Sequence, residues 1–140
     1  MIRKLYLILF ESARISTQTK KNNKQKSKNQ YMLLVCIGFI GLSAQDYECE
    51  FTPFVDIGWR LAKHTWNKGY ATEGAKRCLS YAHETLKLKE IYAVTPMLNK
   101  KSERIMQKIG MTKVGTFEHP LLLNDERLKM CVLYCKKSKL

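Results

Sequence analysis

A chain of 140 residues with 45% apolar content suits one domain built around one core. Its formal charge of +13 is unevenly spread: residues 1–31 carry a net +7 and residues 32–140 a net +6. Much of the basicity therefore belongs to a tail. This lowers the case for a specific nucleic-acid binder and leaves a positive body suited to an anionic ligand.

Met1 to Phe10 has two basic residues and a short apolar run, Leu5 to Phe10, which superficially resembles a secretory leader. Glu11 closes the run and no small-residue cleavage site stands out. Residues 11–30 are polar, lysine-rich and without periodicity, a composition that cannot bury enough surface to offset ordering. The expected division is thus a basic, disordered or non-family segment over 1–30 and a folded domain over 31–140. Tyr31 to Leu42 is apolar but falls short of the roughly 20 residues that span a bilayer, so no membrane association is expected.

Met32 to Ser43 reads as a buried strand, with Gly38 and Gly41 as candidate bulges. A polar connection follows, and Pro53 precedes a second strand over Phe54–Ala62. That strand runs through a glycine-containing loop into a helix, predicted over Thr72–Leu86 from apolar residues at three- and four-residue steps: Ala75, Cys78, Leu79, Ala82 and Leu86. A loop at a helix N-terminus aims backbone N–H groups and the positive end of a dipole at one spot, which suits a phosphate. Lys68 adds charge there, and Gly69 lets a ligand come close to the backbone.

Glu90–Thr95 is a third strand. Asn99 is a candidate N-cap for a second helix, which presents Ile105, Met106 and Ile109 inward and ends at Gly110. Met111–Phe117 and Leu128–Tyr134 complete the set as an antiparallel pair. Strand, helix, strand across 54–95 implies a right-handed parallel crossover. The five cysteines (Cys36, Cys49, Cys78, Cys131, Cys135) contain no C-x-x-C pair and are odd in number, which favours reduced thiols in the cytosol. His64, His83 and His119 show no ligand spacing, so no metal site is expected.

Five pieces in order resemble the GNAT superfamily of acyl-CoA-dependent N-acetyltransferases. They are I-G-F-I-G-L-S at 37–43, D-I-G-W-R-L at 56–61, W-N-K-G-Y-A-T-E-G-A at 66–75, N-K-K-S-E-R-I-M-Q-K-I-G-M at 99–111, and F-E-H-P at 117–120 followed by V-L-Y at 132–134. The branch containing ribosomal-protein N-terminal acetyltransferases and spermidine-type relatives is nearest. The resemblance implies an α/β fold: a mixed, mostly antiparallel sheet with a central splayed parallel pair, flanking helices and an incomplete N-terminal part. It also implies acetyl-CoA as cosubstrate and an amine acceptor.

By motif, the resemblance assigns the coenzyme A diphosphate to the N–H groups of Lys68, Gly69, Tyr70, Ala71 and Thr72. Asn67 stands where relatives commonly have glycine, and asparagine tolerates positive φ. The pantetheine arm would meet the backbone at Leu61 and Ala62, with Asn99 and Ser102 near the thiol. Trp59 and Trp66 read as packing residues. Ser102 is the candidate proton donor, because Met106 replaces a tyrosine found in many relatives.

Asp56 is the first candidate for the general base, His119 and Glu118 the runners-up, and His119 equally a residue that stabilises the turn before Pro120. Cys131 stands where relatives often have histidine. Only 31 residues precede the match and resemble neither the first strand nor the two helices of relatives, a deficit that invites dimerisation, aggregation or a replacement fold. Two other readings stay open: an acyl-CoA-binding pseudoenzyme with little turnover, and a nucleic-acid binder acting through the basic tail.

Overall fold

A computed structural model of the chain describes the backbone of residues 5–8 and all of residues 37–139. The basic segment 11–30, the start of the predicted first strand at 32–36, and Cys36 lie outside the described residues.

The chain runs β1 (Leu5–Ile8), β2 (Gly38–Gln45), β3 (Phe54–Leu61), α1 (Tyr70–Ser80), β4 (Glu90–Pro96), α2 (Lys100–Lys108), β5 (Thr112–Glu118) and β6 (Met130–Lys137). The six strands form one sheet in the order β1-β2-β3-β4-β6-β5. Only the central pair, β3 and β4, is parallel; the other four pairings are antiparallel. Part of the apolar run at the chain start is thus a strand: β1 pairs with β2, Leu5 opposite Ser43 and Ile8 opposite Ile40.

Strand alternation sends Val55, Ile57, Trp59 and Leu61 of β3 to one face, where α1 and α2 both pack. Ile40, Leu42, Ile91, Ala93, Val132 and Tyr134 from the sheet meet Ala75, Cys78, Leu79 and Ala82 of α1 and Met106 of α2 in a single cluster. The two apolar stripes read from helical spacing are therefore the two stripes that are buried.

Two expectations need correction. Gly38 and Gly41 are not bulges, since β2 and β3 stay in register from Gly38–Leu61 to Gln45–Phe54. Gly38 is required instead by close approach: its φ is +141°, and a Cβ there would collide with the Arg60 carbonyl and come 2.7 Å from the Leu61 Cα. The register shift falls in β5, between Lys113 and Gly115. Lastly, α1 starts two residues early, and beyond Ser80 its bonding widens into a π turn over Tyr81–Thr85, closed by the Leu86 N–H on the Tyr81 carbonyl at 3.1 Å.

Candidate active site

The central parallel ladder is short. Asp56 opposite Tyr92 is its one registered position, although β3 runs on for five more residues. The Ala62 N–H donates to the Ile37 carbonyl at 2.7 Å, which fixes the alternation of the β2–β3 ladder. Counting back from Ala62, the main-chain groups of Leu61, Trp59 and Ile57 turn away from β2, toward β4. Beyond Asp56 the registered pairing with β4 ends, and the space that this break implies between the two strands is the opening these groups face.

At the end of β3 a one-turn 3-10 helix, Lys63–Thr65, leads to Trp66, Asn67, Lys68 and Gly69. Asn67 adopts φ 62°, the left-handed conformation expected of it, and Gly69 follows at φ 83° as the N-cap of α1. No side chain caps this end. The first helical bond is donated by Glu73 to the Gly69 carbonyl at 2.9 Å, so the N–H groups of Tyr70, Ala71 and Thr72 point out of the helix end. A Cβ placed on Gly69 would meet no heavy atom within 4 Å, so the loop faces open space. Leu61 and Tyr70 line one small hollow with Ile37, Gly38, Phe39 and Ile40, which keeps the strand end beside the helix start.

Leu61 and Ala62 differ. The Leu61 carbonyl accepts from the Trp66 indole at 2.8 Å and its N–H faces the opening. Ala62 is a corner whose groups are all engaged: its N–H bonds Ile37, and its carbonyl accepts the Thr65 N–H at 2.9 Å and the Thr65 hydroxyl at 2.6 Å.

Across the opening stands the first turn of α2. The Asn99 Oδ1 accepts the Ser102 N–H at 3.2 Å, the N-cap that the sequence predicts. The Ser102 Oγ in turn accepts the Trp59 indole N–H at 3.3 Å, joining β3 to α2 and leaving the hydroxyl proton free to be donated. Met106, where many relatives have a tyrosine, is buried in the core. Lys101 holds its ammonium 4.4 Å above the Trp66 ring, a second tie between α2 and the loop.

Asp56 lies on the other face of the sheet, three residues from Trp59 and so roughly 10 Å along the strand. Gln45 donates to its Oδ1 at 3.0 Å. Burial lifts the carboxyl above its ordinary range, opposed by that bond and by a backbone N–H. Around it gathers an aromatic cluster: Tyr47 against Phe54, Phe51 against Phe54, Tyr92 and Phe117. Burial, and then the charges of Cys49, Asp56 and Cys131, push the Tyr47 phenol up.

The His119 ring packs on Tyr47 with centroids 4.5 Å apart, and its Nδ1 accepts the Leu121 N–H at 3.2 Å. This bond is a turn-stabilising contact, one of the two roles weighed for His119. Neutral, it carries its proton on Nε2, and burial lowers its pKa. Glu118 is exposed, 3.6 Å from the Lys129 ammonium. The site thus holds Ser102 and Asp56 on opposite faces of one opening and brings Asp56 near Tyr47 and His119.

Sequence reading missed the contacts that Trp59, Trp66, Tyr47 and Lys101 make here. Counting strand alternation from Ala62 would have turned the Trp59 main chain toward β4; the ring contacts have no local signal. Among the described residues no group of His, Cys, Asp and Glu could hold a metal, and no helix is long and apolar enough to cross a membrane. Burial pushes the Cys78 thiol up to about 11 and moves Cys131 and Cys135 the same way, the reverse of an activated nucleophile.

Comparison with known proteins fits this geometry. An FsC-acetyl coenzyme A-N(2)-transacetylase of Aspergillus fumigatus is 38% identical over 66 residues, 47% of this chain and 28% of that protein. The uncharacterized N-acetyltransferase YnaD of Bacillus subtilis is 40% identical over 63 residues, 45% of this chain and 37% of its own length. Among solved structures, a GNAT-family acetyltransferase from Bacillus anthracis superposes with a TM-score of 0.60 at 30% identity, over 74% of this chain and 60% of that one. A ribosomal-protein-S5-alanine acetyltransferase from Vibrio fischeri shares the fold with a TM-score of 0.61 at 20% identity, over 74% of this chain and 55% of that one. The chain spans less than two thirds of each of these relatives. The model of the acetyltransferase (GNAT) domain family matches residues 10–112, most of the sequence, and the chain belongs to that family.

Proposed function

We propose that this domain moves an acetyl group from acetyl-CoA to a primary amine, on a protein N-terminus or a small molecule, by direct attack within a ternary complex. One observation carries the reading: the opening beyond Asp56 and Tyr92, with an uncapped helix end beside it and Ser102 and Asp56 on its two faces. The residues fit acetyl-CoA. The N–H groups of Lys68, Gly69, Tyr70, Ala71 and Thr72 would hold the diphosphate, helped by the Lys68 charge. The gap-facing main chain of Trp59 and Leu61 would bind the amides of the arm, and Asn99 and Ser102 would flank the thiol.

When bound, acetyl-CoA supplies a thioester activated toward amines. Asp56 takes a proton from the ammonium, directly or through one water; a raised carboxyl pKa makes it a better base. A gap-facing N–H, from Trp59 or Leu61, stabilises negative charge on the carbonyl oxygen. The amine nitrogen bonds the acetyl carbon, the carbon–sulfur bond breaks, Ser102 gives its hydroxyl proton to the departing sulfur, and the surplus proton on the new amide nitrogen returns through water to the Ser102 oxygen. With Nδ1 taken by the Leu121 N–H, His119 would meet the acceptor through Nε2–H rather than act as the base. Reduced thiols suit a cytosolic setting, and a homodimer is one assembly open to the domain.

The test is a thiol-release assay on a panel of amines and peptides, with acetyl-CoA affinity measured by calorimetry. Turnover lost in Asp56→Asn and Ser102→Ala with affinity intact supports the assignment. Wild-type protein that does not bind acetyl-CoA refutes it. Tight binding without release on any amine favours the pseudoenzyme reading, which the buried Met106 supports.

A further inference from the structure

We propose that Trp66 and Lys101 are positioning residues that turn the end of β3 and its loop into a donor-only surface, selective for the phosphorylated part of the ligand. This rests on the reading above and names residues it leaves unused. Trp66 is 42% exposed, yet both its ring and its N–H are engaged.

Between Leu61 and Thr72 the groups that face the ligand must all be donors if the ligand is an anion. Two carbonyls threaten that arrangement, those of Leu61 and Ala62 at the strand end. Each is satisfied from within the loop: Leu61 by the Trp66 indole at 2.8 Å, Ala62 by the Thr65 N–H and hydroxyl. With these two carbonyls engaged, the Leu61 N–H and the N–H groups at the start of α1 are the groups that the strand end and the helix start leave for a ligand. Without the indole, the Leu61 carbonyl would aim a lone pair into the opening where negative charge arrives. Lys101, exposed but held 4.4 Å above the same ring, brings a cation from α2 beside the loop. One side chain thus silences an acceptor and anchors a cation.

The experiment titrates coenzyme A and pantetheine, which lacks the phosphates, into wild type, Trp66→Phe, Trp66→His and Lys101→Met. Trp66→Phe keeps a ring but no N–H, and weakens coenzyme A about tenfold. Trp66→His, which retains a ring donor, recovers part of that loss. Lys101→Met weakens coenzyme A about threefold at low salt, and the difference fades at high salt. Pantetheine binds all four proteins alike, and in turnover the loss falls on KM rather than kcat. Two results overturn the proposal: coenzyme A affinity unchanged in Trp66→Phe, or pantetheine weakened as much as coenzyme A. Should Trp66→Phe unfold, an unchanged affinity in Lys101→Met overturns the pair. Failure of the wild type to bind coenzyme A would instead end the acetyltransferase reading.

Discussion

Along β3 the residues before and after Asp56 use different chemistry. From Ile57 to Leu61 the strand offers its main chain, turned toward a partner strand that has diverged, and the loop beyond it continues with backbone N–H groups. At Asp56 the strand is paired on both sides, and from Phe54 to Asp56 it offers side chains: one carboxylate among Tyr47, Phe51, Tyr92 and Phe117. A main-chain site tolerates changes of side chain and is vulnerable to changes of backbone. A side-chain site is the reverse. The contrast suits a constant cosubstrate on one side and a variable acceptor on the other.

The largest expected effect breaks the side-chain half alone. Asp56→Asn should lower turnover by about 10²–10⁴-fold in the thiol-release assay while calorimetric affinity for acetyl-CoA holds. Its pH dependence sharpens the point. With the carboxyl raised by burial, wild-type turnover climbs as pH rises through a value above the usual aspartate range, and the Asp56→Asn variant loses that limb. Stability runs the other way, since a raised pKa favours the neutral folded form. That contribution is full below the unfolded-state pKa and is lost as pH climbs through the folded one, as urea melts at a series of pH values would record.

Next comes the backbone half. Gly38→Ala drives a Cβ into the Arg60 carbonyl at a positive φ, and should cost about 3 kcal/mol or more in denaturant melts. Ser102→Ala should reduce turnover by roughly ten- to a hundredfold with little change in affinity, because water can replace the lost hydroxyl. Smallest is Asn99→Ala, about 1 kcal/mol of thermal stability for one N-cap bond. A drop in turnover far beyond that would give Asn99 a part in binding as well.

What the sequence made legible was local. Asn67 and Gly69 declare a left-handed loop because few residues tolerate positive φ. Asn99 and Gly110 bracket α2 for equally short-range reasons, and the apolar spacing of α1 declares its buried stripe. The missed features all join distant parts of the chain. Trp59 reaches Ser102 across 43 residues, β1 finds β2 across more than thirty, and Tyr47 meets His119 from separate loops. Nothing in the residues flanking these positions specifies such partners. The π turn at Tyr81–Thr85 was hidden differently, because an extra residue per turn leaves the apolar pattern almost unchanged. Asp56 was legible as a carboxylate in a strand, but its burial came only from the rings around it.

The strand order divides the sheet into two leaves of three, β1-β2-β3 and β4-β6-β5, stitched at a single registered pair. Their cohesion comes also from the helices: α1 packs on β2 and β3, α2 packs on β4, the two helices touch, and Leu79 and Met106 join one buried cluster with Leu42 and Ile57 of one leaf and Ile91 and Val132 of the other. The helices therefore act as the binding of a book whose pages meet at a seam. Trimming Leu79 or Met106 would loosen that binding, so the width of the seam and the stability of the protein are set by the same contacts.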